Sequence, residues 1–198
     1  MVSTGTSGAE RGAVADLTAR RIERRSHVMT ECYAAWAARR GPAGLPGAEA
    51  VADPLAPPAD HVLTLDRLGP GAIRLRQGGR VIRALMGAEP AGMPLRALFH
   101  VSGRGPVLRA VERCFVEPAV VTLDLVAEAE AAPLAARMLL LPLADRAGRA
   151  SKALGCVALR GPLGAAPHRF HLKLAEAVPL GAAPAPQPPA PAARLRLV

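Results

Sequence analysis

Aromatic side chains are scarce in this chain: three Phe, one Tyr and one Trp make up 3% of its 198 residues. Its core must therefore be aliphatic, although 51% of the residues are hydrophobic, many of them alanine, against 21% charged. No run of about 18 consecutive apolar residues occurs, which argues against a membrane span. Residues 1–12 are small and polar around Glu10 and Arg11, with no apolar stretch of the kind a secretory leader needs, and read as a disordered lead. Cysteine is limited to Cys32, Cys114 and Cys156, an odd number with no Cys-x-x-Cys pattern. They read as reduced thiols of a cytoplasmic protein, each serving as a small buried apolar residue. Lysine is nearly absent, with only Lys152 and Lys173, so the net charge of +9 rests on arginine. Arginines clustered on one face would indicate a polyanion partner; these are spread through predicted helices and strands alike. A basic nucleic-acid-binding regulator is accordingly the alternative function and not the leading one, with Arg20, Arg21, Arg24 and Arg25 as its phosphate-contacting candidates.

What is present is organised around residues 134–159, which predict two antiparallel strands in the middle of a small sheet. Met138, Leu139, Leu140 and Leu141 form an unbroken apolar run, the signature of a strand covered on both faces. Pro142 lacks a backbone donor, so pairing is expected to weaken there. The polar segment 145–149, with Gly148, is the hairpin loop. Upstream, 13–40 predicts a helix in which Met29, Cys32, Tyr33 and Trp36 share one face, ended by Gly41-Pro42. Residues 41–58, rich in Gly, Pro and Ala, are a tether. The alternation of 61–65 predicts a first strand, 66–71 a turn and 72–77 a second strand. Gly78-Gly79 marks a bulge or the start of the next element. Residues 80–99 are broken by Gly87, Pro90, Gly92 and Pro94 into short helical turns. A helix is predicted over 105–117 and a strand over 120–127, while 169–174 reads as either strand or short helix. Domain boundaries are therefore drawn at 59–178, with a Pro/Ala-rich disordered tail over 179–198.

Catalysis requires a nucleophile, a base and a reason for their proximity. His100 and Ser102 are two residues apart but lie outside any Gly-x-Ser-x-Gly elbow, and read as a loop serine and a partly exposed histidine. His168 and His171, three apart, have no further ligand at metal spacing and read as solvated beside Arg169 and Lys173. Gly69-Pro70-Gly71 and Gly103-Arg104-Gly105 match no phosphate-binding fingerprint and are turns.

The element order, helix, two strands, short helical turns, helix and three strands, is that of a PAS domain, and the motifs strengthen the likeness. Tyr33-x-x-Trp36, the turn Asp53-Pro54, Arg74 followed by Gly78, Met86-Gly87 with Gly92, and the Leu-Leu-Pro-Leu strand at 140–143 stand in order over about 30–159. Together they resemble the compact PAS-like family common in alphaproteobacteria. Met86 stands where that family tends to carry an aromatic residue. The resemblance implies an α+β domain: a five-stranded antiparallel sheet with short helices, here with an N-terminal helical extension and the C-terminal tail. It implies a cytoplasmic sensory or interaction module, not an enzyme, that binds a small ligand or a partner protein. No axial histidine for haem lies in 105–117, and Cys114 is not in an Asn-Cys-Arg flavin segment; no cofactor is predicted, and any ligand would be a small apolar molecule. The candidate pocket, between the sheet and the 80–99 turns, is lined by Ile82, Leu85, Met86, Leu98, Phe99, Leu123, Met138 and Leu140, whose other role is ordinary core. The apolar stripe of the N-terminal helix has two destinations, its own sheet or a second copy; the expectation adopted is a homodimer with Met29, Tyr33 and Trp36 at the interface.

Overall fold

The computed structural model describes residues 26–41, 44–49, 59–129 and 132–181. The lead, the first half of the predicted N-terminal helix with Arg20, Arg21, Arg24 and Arg25, most of the tether and the tail beyond residue 181 lie outside the described residues.

The two longest strands are β4 (Leu134–Ala144) and β5 (Ala150–Arg160), paired antiparallel around the loop 145–149. They occupy the middle of one sheet, as their apolar content requires. β1 (Val62–Gly69) pairs with β5 on one side, and β3 (Ala119–Ala127) with β4 on the other. β2 (Ala72–Gly78) and β6 (His171–Pro179) complete a six-stranded antiparallel sheet in the order β2-β1-β5-β4-β3-β6. The unbroken apolar run of β4 is explained by its two faces. Met138 and Leu140 enter the core beneath the short helices, whereas Leu139 and Leu141 enter a second core on the opposite, outer face. Successive side chains on a strand point to opposite faces, so a strand buried on both can have no polar alternation.

The inner face is covered by α2 (Arg80–Met86), a 3-10 turn (Leu95–Leu98) and α3 (Arg104–Val116). α2 is stopped by Gly87, whose φ of 69° supplies the left-handed cap that a side chain would resist. Gly79 belongs to the start of α2: it caps the helix, and its N–H donates to the Val62 carbonyl at 2.8 Å. The outer face is covered by α1 (His27–Arg39), whose Met29, Cys32, Tyr33 and Trp36 are buried on Leu139, Leu141, Leu143, Leu154 and Cys156.

Three expectations are corrected. The sheet has six strands, not five, because 169–174 continues as β6 and pairs along β3 from Val126 back to Ala119. Phe170, buried just before it, anchors the returning chain: its N–H donates to the Leu98 carbonyl at 2.9 Å, and its own carbonyl accepts from His100 N–H at 3.0 Å. The turn expected at 66–71 is only Pro70-Gly71; β1 runs on to Gly69 because Asp66 pairs across with both Arg74 and Lys152. Pro142 does not interrupt the pairing with β5, where it faces Ala153. Its missing N–H falls on the other edge of β4, beyond the end of the β3 register at Leu140. There the Trp36 indole donates to the Pro142 carbonyl at 2.9 Å, and Ala144 bonds to residues 46 and 48 of the tether. Alternate residues of a strand offer their backbone groups to the same edge, so 140, 142 and 144 are satisfied in turn by strand, side chain and tether.

Candidate functional site

The eight residues proposed to line a pocket do come together. Ile82 and Leu85 from α2, Met86 after them, Leu98 and Phe99 from the following turn, and Leu123, Met138 and Leu140 from the sheet join one cluster, each 6% exposed or less. They meet as packed core. Three clefts among the described residues lie elsewhere, and these aliphatic side chains pack with Phe99 between sheet and helices. Met86 contributes to this, since a flexible thioether conforms to irregular gaps.

The largest of these three clefts, of ≈ 700 Å³, is on the outer face and not under the short helices. α1 covers β4 and β5 but leaves the outer surface of β1 and β2 open, and the β4–β5 loop together with 47–49 forms the wall. Its floor carries Asp66, Arg76 and Lys152, with Lys152 Nζ 2.8 Å and Arg76 3.7 Å from the Asp66 carboxylate. On the wall Arg146 pairs with Glu49 at 2.7 Å. Asp145 organises the loop: its carboxylate accepts from the N–H groups of Ala147 and Arg149 at 2.9 and 3.0 Å and from the Ser151 hydroxyl at 2.9 Å. Those donors, the Arg149 N–H foremost, lower its pKa to about 2. Thr64 Oγ1, at the base of the groove, is buried without a hydrogen-bond partner among the described residues. The groove is thus lined by crossed ion pairs above a partly apolar floor, a surface suited to polar contacts with a partner.

The other candidates are placed as follows. His100 Nδ1 lies 2.8 Å from Ser102 Oγ and also accepts from Ser102 N–H at 3.4 Å, with His171 stacked on the ring at 4.4 Å between centroids. This is local capping of a 3-10 turn (Val101–Gly103) at an exposed site, using the ring nitrogen nearest the backbone. His171 follows on β6, but His168 is not solvated as expected: it is 3% exposed, and its Nε2 has no partner among the described residues. The hydrogen bond from His168 N–H to the Leu85 carbonyl draws it beneath α2. No group of three His, Cys, Asp or Glu side chains suited to a metal occurs among the described residues. Cys114 is fully buried in α3, where desolvation pushes its thiol pKa far up, as suits an inert core residue.

The three dimer candidates are buried within the chain: Met29, Tyr33 and Trp36 pack on its own sheet. The Trp36 indole finds its partner within the domain, and Arg40 lies over that ring at 5.8 Å while donating to the Leu180 carbonyl at 3.0 Å. Packing of α1 on its own sheet is one of the two destinations open in the sequence, and the signal for it is the double-sided apolar run of β4, which needs a second cover.

Compared with known proteins, residues 24–158 match a family model described as a PAS domain. The matched region begins just before α1 and ends within β5, so β6 and the return segment that carries Phe170 lie outside it. No curated protein matches the chain. No described helix is long and apolar enough to cross a membrane.

Proposed function

This chain belongs to the PAS domain family, and from that membership we propose that it is a cytoplasmic regulatory module that signals by binding a partner protein at the outer groove. The observation that carries the reading is the exposed outer groove. It presents Arg76, Lys152, Arg146 and Glu49, while the eight residues between sheet and short helices are buried in one packed cluster. A solvated array of both charge signs favours orientation and partner discrimination over deep small-molecule capture. The three free cysteines accord with a reducing compartment.

Native mass spectrometry of the intact chain tests the reading. The expected species carries no small molecule. A stoichiometric apolar adduct that is lost in the Met86→Trp variant, with the fold retained, would overturn it and restore the interior as a ligand site.

A further inference from the structure

We infer that Cys32 and Cys156 form a redox-responsive dithiol that closes to a disulfide and fastens α1 to the central strand β5. Cys32 lies on the buried stripe of α1, and Cys156 on the outer face of β5, flanked in register by Val62 of β1 and Leu139 of β4. Both are buried in the outer core where α1 packs on β5, and Cys32 is the neighbour that raises the Cys156 thiol pKa most. Cys114 is in the inner core, on the far side of the sheet. Three free thiols are therefore divided by the sheet into one facing pair and one isolated residue. Two thiols buried in one helix-sheet interface can link where they approach to bonding distance, ~2.05 Å, with the side-chain torsion that a disulfide prefers.

The oxidant is hydrogen peroxide. One thiolate attacks a peroxide oxygen, the O–O bond breaks, and a sulfenic acid and hydroxide result. The second thiolate then attacks the sulfenic sulfur, the S–O bond breaks, and the oxygen leaves as water after taking a proton. In sum, two thiols and one peroxide give one disulfide and two waters. The neighbouring Cys32 and burial both hold the Cys156 thiol protonated, so the docked interface reacts slowly and the rate follows the opening of α1. Oxidation traps the helix on the sheet, whereas in the reduced protein only non-covalent contacts hold it. The inference stands apart from the proposed partner binding, since neither Cys32 nor Cys156 lines the groove and no ligand is needed.

The full-length reduced chain is treated with hydrogen peroxide, unfolded, alkylated and mapped by peptide mass spectrometry. The expected product has Cys114 as its only alkylated thiol, a linked Cys32–Cys156 peptide that dithiothreitol reverses, and the same link in Cys114→Ser. Neither Cys32→Ala nor Cys156→Ala forms an intramolecular link. Amide exchange over α1 slows by at least about tenfold on oxidation. The inference is overturned if both thiols stay alkylatable, if they over-oxidise singly without linking, or if the link uses Cys114 or a second molecule. A link that leaves α1 exchange unchanged would likewise refute the fastening.

Discussion

Trp36→Phe separates α1 as an integral layer of the domain from α1 as a loose extension. The indole is 1% exposed and its Nε1 donates to the Pro142 carbonyl at 2.9 Å. Phenylalanine keeps most of the apolar contact but cannot donate. The buried Pro142 carbonyl, on a β4 edge that β3 no longer reaches, is then left without its donor at a cost of ~1–3 kcal/mol. The smaller ring leaves a void that adds about 1 kcal/mol. The expected loss is about 2–4 kcal/mol in all, or a Tm lowered by roughly 5–15 °C for a domain of this size. Since the variant has no tryptophan, urea unfolding is followed by far-UV circular dichroism, and the denaturant slope should stay unchanged while the midpoint falls. A loss below ~0.5 kcal/mol would refute the reasoning. So would sedimentation showing a wild-type dimer that the substitution dissociates at undiminished stability, because the indole would then act between molecules.

Met86→Trp overfills the inner core and is expected to cost ~1–3 kcal/mol in chemical denaturation; unchanged stability would reveal unfilled space beside α2. Gly79→Ala should cost a similar ~1–3 kcal/mol, because an added Cβ would sit 2.3 Å from the Ala59 carbonyl oxygen and 2.4 Å from that of Asp60, both backbone atoms. A thermal melt matching the wild type would show that the Ala59–His61 turn yields freely. Asp145 has a folded pKa of about 2, below its unfolded value near ~3.9. Its contribution to loop stability is therefore complete above roughly pH 4 and is lost as pH falls through about 2. Carboxyl-carbon NMR should find that midpoint together with shifts in the 145–151 amides, and a midpoint near ~4 would contradict the hydrogen-bonded loop.

Local pattern alone determined a good deal of this protein. The apolar run 138–141, the polar hairpin loop with Gly148, the glycine and proline breaks through 80–99 and the aromatic stripe of α1 are written in neighbouring residues, because strand alternation, helix spacing and turn chemistry act over a few positions. The same residues were enough to bring eight separated side chains into one inner cluster and to suggest the PAS family. Tertiary structure alone decided what those surfaces meet. An apolar stripe has the same sequence whether it packs on its own sheet or on another molecule; within this chain it meets β4, where the Trp36 indole reaches the Pro142 carbonyl 106 positions away. Likewise β6 is an ambiguous nine-residue stretch until β3 offers an open edge. Contacts so distant in the chain leave no periodic trace, and for that reason the outer groove and the shared burial of Cys32 and Cys156 emerge only once the sheet has closed.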